Sequence, residues 1–275
     1  MAGELPGPAG RPRGKRDARR TPFWRRLVNG IGTPPAQALS VEQVPRPRGP
    51  GIYRNAYLYF SLALLVAIAG FFPSYFARLR DTDAIHHFHG ILASAWMVGL
   101  VTQSWLMRQG MVSAHRAIGR ASLLVAPLFV VSGILVVHVM LASDDGFDRA
   151  YGTRLAFVDL TTMAYFAVAY ALALYHRRRT QLHARFMAST AMLVLPPALA
   201  RLLGNVVPGF DSFESDFNGS YFICEAIVAL LLIDDFRRGR ALAPYAALGA
   251  ILVLQQSSFL LSPSPAWWTA VASWI

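Results

Sequence analysis

Apolar positions in this chain come in blocks of about 20 residues rather than in the alternating faces of a soluble helix or strand. At about 1.5 Å rise per residue, one block matches a hydrocarbon core roughly 30 Å thick. The bilayer core offers no water to the backbone, so each block must close its own hydrogen bonds as a helix. The pattern predicts spans over 55–76, 87–107, 118–141, 155–175, 184–207, 220–233 and 241–261, the sixth being short. The predicted fold is therefore all-α: a polytopic transmembrane helix bundle of about seven spans filling residues 53–262.

The flanks read differently. Residues 1–52 are rich in Pro, Gly and Arg and bury too little apolar surface to fold, which predicts a disordered basic tail. Arg19-Arg20 is a twin-arginine pair, but no apolar run follows it, so a cleaved signal peptide is rejected. Within the tail, Phe23-Trp24-Arg25-Arg26-Leu27-Val28 could rest on an anionic surface, each Arg contributing about 1 kcal/mol. The end, 263–275, carries Trp267, Trp268 and Trp274 and is too short to cross, so it reads as an interfacial aromatic tail.

Charge sharpens the picture. Only 15% of residues are charged, against about 25% in soluble domains, and the net charge is +11. Eleven Lys and Arg precede the first block, and basic-rich and basic-poor connections then alternate along the chain. That places the N-terminus in the cytoplasm and the C-terminus outside, in a cell inner membrane whose lipid is the principal partner. The basic residues sit where headgroups would be, so nucleic acid is not an expected partner. A membrane-protein partner or a homo-oligomer stays open. The single cysteine, Cys224, allows no internal disulfide, and there is no CxxCH haem-attachment motif.

Polar groups inside a bilayer are costly and mark candidate sites. His86, His87 and His89 open the second block, His138 lies near the end of the third, and Asp159, Arg201, Asn205 and Glu225 fall in later blocks. The predicted topology gathers these in the outer leaflet. His115, His176 and His183 fall on the inner side, where headgroup contact is the plain explanation. At 100° per residue, His89, Trp96 and Gln103 lie within about 40° of one another on one stripe. Thr190, Pro197, Arg201 and Asn205 share another, and Pro196-Pro197 should break their helix.

These groups admit several chemistries. Two imidazoles on facing helices, such as His89 and His138, could hold haem b. Three imidazoles with a carboxylate, drawn from His86, His89, His138 and Asp159, could hold a divalent metal and activate water. Arg201 between Asp159 and Glu225 reads either as a structural ion network or as an anion and proton site.

His87-Phe88-His89, Trp96, Gln103, His115-Arg116 and Gly119, followed by His183-Ala184-Arg185-Phe186-Met187 and Arg201, resemble a family of uncharacterised bacterial multi-pass membrane proteins. The resemblance covers about residues 85–205. The style of its motifs is distantly similar to membrane cytochromes and haem–copper oxidase assembly proteins. It implies a haem or metal protein of electron transfer or oxidase biogenesis, with His87, His89, His115 and His183 as positions to test. A proton-coupled transporter and a non-catalytic scaffold are the competing expectations.

Overall fold

A computed structural model describes residues 52–261 and 266–272, together with Gly3. The readings of the basic tail and of Trp274 lie outside the described residues. Contacts divide the chain between residues 48 and 49, and the helices belong to the second unit, 49–275.

All regular structure among the described residues is helical: α1 (Ala56–Phe71), α2 (Ala84–Arg108), α3 (Val112–Leu141), α4 (Gly146–Tyr175), α5 (Thr180–Met192), α6 (Leu195–Val206), α7 (Phe213–Arg237), α8 (Ala243–Leu260) and the short α9 (Ala266–Ala272). Among the described residues, six helices are long and apolar enough to cross a membrane when α5 and α6 are taken as one broken span, Thr180–Val206. The shorter α1 has 16 residues, about 24 Å of helix against a core of roughly 30 Å. The chain is thus an integral membrane protein of the multi-pass helical class, in line with about seven spans.

Most helices begin before their apolar blocks do. Helix α4 starts at Gly146 rather than near 155, and α7 at Phe213 rather than near 220. Apolar patterning marks only the part of a helix that lipid solvates, whereas capping marks where the backbone ladder begins. Asp145 accepts from the Phe147 N–H, and Ser212 and Ser215 form a reciprocal capping box. Asp83 likewise caps α2 through the Ile85 and His86 N–H groups. As a result, Asp159 and Glu225 sit near the middle of their helices, not one turn from an end.

Packing closes a ring. Each of α1, α2, α3, α4, α8, α7 and α6 contacts the next, and α6 returns to α1. Helix α5 stands inside this ring, against α4 and α8. The α1–α6 contact is close enough that a Cβ on Gly70 would meet the Ala198 backbone. Between α2 and α3, Gly110 supplies the positive φ of 72° that a tight turn needs. Trp268 of α9 is buried, donates to the Thr153 carbonyl at 2.7 Å and packs edge-on to Phe157. This tryptophan of the aromatic tail therefore docks onto α4.

The break between α5 and α6 is where the doubled proline acts. Pro196 and Pro197 have no N–H to return to Met192 and Leu193, and in an unbroken helix their rings would clash with those carbonyls. The helix stops at Met192 and restarts at Leu195. Helix α5 runs up the middle of the ring, and α6 then joins the wall between α1 and α7. The middle is filled at the Arg185 end and vacated at the His86 end.

Candidate functional site

The vacated centre is a cavity of about 720 Å³, walled by α1, α2, α3, α4, α6, α7 and α8, with Thr190 of α5 and the break residues Leu193 and Val194 also lining it. Its volume lies in the range of small-molecule sites, roughly 300–1,000 Å³. The lining is mostly apolar and aromatic, including Phe71, Phe129, Phe166, Phe217 and Tyr221. Its ionisable members are Asp83, His86, His89, Asp148, Asp159 and Arg201.

The wall is held by hydrogen bonds between helices. Trp96 donates to Thr190 at 3.2 Å and meets Phe166 and Tyr170 edge-on. Gln255 of α8 donates to the Val158 carbonyl and to Thr161 and Thr162, and it accepts from Tyr221 at 3.1 Å. One amide thus ties α4, α7 and α8 together around Asp159.

Arg201 and Asp159 line this one space from opposite sides of the ring, yet no ion pair within 4 Å joins them among the described residues. Arg201 donates to Pro197 O at 3.0 Å and lies over the Phe71 ring at 4.6 Å. These contacts aim the guanidinium but leave most of its donors open. The Asp159 carboxylate has no hydrogen bond to another described residue. The two groups interact through charge across the cavity.

The histidines separate by role. Ser132 donates its hydroxyl to the Phe129 carbonyl at 2.8 Å, so it accepts from His89 Nδ1–H at 3.0 Å. That tautomer leaves the His89 Nε2 lone pair free, and the ring stacks on Phe129 at 5.1 Å. His86 is exposed and held at 2.5 Å by Asp83. Slight burial acts to raise the Asp83 pKa, but the hydrogen bonds and charge of His86 and the Ile85 N–H outweigh it and keep the carboxyl below its usual 3.8. His87 uses both nitrogens: Nε2–H donates to the Leu79 carbonyl at 2.9 Å and Nδ1 accepts from the Tyr75 hydroxyl at 3.2 Å. It fastens the turn between α1 and α2.

Several expected partners do not meet at this cavity. His138 is exposed and does not line it, so it does not face His89 there. Among the described residues no three His, Cys, Asp or Glu side chains cluster closely enough to hold a metal, so the zinc set of His86, His89, His138 and Asp159 is not assembled. Glu225 is also outside the lining, and its Oε1 is enclosed without a partner among the described residues, where no Asp159–Arg201–Glu225 network forms. Asn205 is exposed and donates to the Arg201 carbonyl at 2.6 Å. Gln103 and Trp96 do face inward with His89, as their stripe requires, but Gln103 lies beyond the cavity near His115 and His183 at the other end.

One buried pair escaped the sequence reading. Arg185 and Asp235 make a two-pronged ion pair at 2.5 Å, each 1% exposed. Arg240 and Asp234 extend it, with Arg240 at 3.5 Å from Asp234 and 3.8 Å from Asp235. The signal was Arg185 within His183-Ala184-Arg185-Phe186-Met187, matched by the acidic Asp234-Asp235 at the same end of α7.

Comparison with protein-family models, curated proteins and solved structures gives no match to this chain.

Proposed function

We propose that the chain binds a small amphipathic anion in its central cavity and carries it together with a proton across a cell inner membrane. The observation that supports this most is an Asp159 and an Arg201 in the wall of one cavity, unbridged, beside a broken helix. Arg201 keeps its charge at any physiological pH, whereas Asp159 can be neutralised by a proton. With Asp159 ionised, the two charges offset one another and an anion gains little. With Asp159 protonated, the guanidinium is uncompensated and the apolar walls take the rest of the ligand. Anion and proton then enter as one neutral load. Broken helices of this kind frame the substrate sites of many secondary transporters.

Equilibrium binding to the detergent-purified chain tests the reading, using naphthalene-2-sulfonate, whose charge does not titrate away, beside a panel of aromatic carboxylates. Affinity should rise as pH falls. Arg201→Gln should weaken binding tenfold or more, and Asp159→Asn should bind well at every pH. Absence of binding across the panel, or binding indifferent to both substitutions, defeats it.

A second reading keeps the expected likeness to membrane cytochromes and oxidase assembly proteins. The free Nε2 of His89 could ligate one face of a haem, with Arg201 toward its carboxylates. The cavity offers no opposed second imidazole, because His86 is on the same helix and His138 is outside the lining. A Soret band abolished by His89→Ala would favour this reading over anion carriage.

A further inference from the structure

Anion and proton carriage engages Asp159 and Arg201 and leaves a third ionisable side chain of the same wall unused. His89 stands on the second turn of α2, lines the cavity and stacks on Phe129 at 5.1 Å. We propose that His89 is the second polar anchor of the ligand, its Nε2 accepting a hydrogen bond from a hydroxyl on the ligand's apolar body. Resting on the anion-binding reading of the cavity, this narrows the ligand class to hydroxylated aromatic anions.

The ring is fixed both in place and in tautomer. The Ser132 hydroxyl gives its one hydrogen to the Phe129 carbonyl at 2.8 Å, so toward His89 it accepts, and Nδ1 bears the proton of that 3.0 Å contact. Ser132 is fully buried where α2 meets α3, so the Nδ1 edge is turned into that interface. The two nitrogens of an imidazole point in diverging directions, and Nε2 therefore points away from Ser132. No hydrogen bond to a described residue occupies Nε2, and no carboxylate is paired with the ring among the described residues, so Nε2 carries a lone pair rather than a second proton.

Much of the remaining polar lining is already spent. Thr190 and Thr162 donate to carbonyls of their own helices and accept from Trp96 and Gln255. Tyr221 donates to Gln255, and Asp83 and His86 hold each other. Arg201 has donors only, and Asp159 is committed to the travelling proton. His89 Nε2 is thus a neutral acceptor with its capacity intact, in the same space as the guanidinium. Aromatic faces from several helices, Phe71, Phe166 and Phe217 among them, line that space, which suits a flat ring as the link between anion and hydroxyl. A ligand without a donor would cut this acceptor off from water and leave it unmatched, which penalises the analogue lacking the hydroxyl.

The test is a titration of the detergent-purified full chain at one fixed pH, with naphthalene-2-sulfonate, its monohydroxy isomers and their methyl ethers, which cannot donate. On the wild-type chain at least one hydroxy isomer should bind about tenfold more tightly than the parent, and its methyl ether should lose that advantage. The ratio of the two affinities, hydroxy isomer to parent, is then read in His89→Phe and His89→Gln, since a ratio cancels any general weakening of the cavity. It should fall to about one in His89→Phe and be kept in part by His89→Gln, whose amide oxygen still accepts. A wild-type chain on which no isomer outbinds the parent, or an advantage that persists in His89→Phe, overturns the assignment. In that event Arg201-dependent binding of the parent leaves anion binding standing, whereas parent binding that fails or ignores Arg201→Gln removes both.

Discussion

Single side chains here do work that their residue type alone does not announce. Arg185 and Asp235 are the clearest case. Removing one member leaves a buried charge unpaired, so Asp235→Ala or Arg185→Ala should each cost about 3–5 kcal/mol. Thermal unfolding in detergent would show this as a large drop in Tm, and restoring size and polarity without charge at both positions should recover part of it. Asp83 gives a smaller, pH-dependent term. Its depressed pKa means that the folded chain is stabilised while the carboxyl is ionised, and that this is lost as pH falls through the folded value, below 3.8. Asp83→Ala should cost roughly 1 kcal/mol at neutral pH through the lost cap, with the gap to wild type closing in strong acid. The sequence made the inward stripe of His89, Trp96 and Gln103 readable, because helical periodicity survives in any solvent. It could not show that Tyr75 and Leu79 occupy His87, since that contact depends on how the chain turns between α1 and α2. The Arg185–Asp235 pair was not legible for a similar reason: the two partners lie 50 residues apart.

At the level of elements, the consequential feature is the interrupted helix. The doubled proline was legible as a break, and the break falls one turn ahead of it, at Leu193 and Val194. That the second half would move into the wall and vacate the centre was not legible, since it depends on the close approach of Gly70 to Ala198. Pro196→Ala with Pro197→Ala should restore the helical ladder and straighten Thr180–Val206. The cavity should shrink and binding of naphthalene-2-sulfonate should fall at least tenfold, read by the same titration. Gly70→Ala places a methyl group against backbone, which cannot swing aside. It should cost about 1–3 kcal/mol, measured as a lower Tm, with loss of cavity shape alongside. Helix starts were the least accurate part of the sequence reading. Hydropathy sees lipid contact, and the caps at Asp145 and Ser212 lie beyond it.

For the whole molecule, the bundle class was readable because apolar blocks of membrane length have few alternatives. The ring order and its central member were not, because every helix offers apolar faces in several directions. The charge alternation predicts that a cysteine placed at 144 is labelled from outside the cell and one at 178 only from the cytoplasm, with native Cys224 buried and silent. The account as a whole rests on a cavity whose charge is switched by one proton on Asp159. Uptake of naphthalene-2-sulfonate into proteoliposomes under an imposed pH gradient measures this most directly. The wild-type chain should accumulate the anion toward the alkaline side with an accompanying proton, and Asp159→Asn should bind it yet fail to respond to the gradient. Uptake by Asp159→Asn that follows the gradient as wild type does, or no gradient-driven uptake by the wild-type chain, would contradict the account.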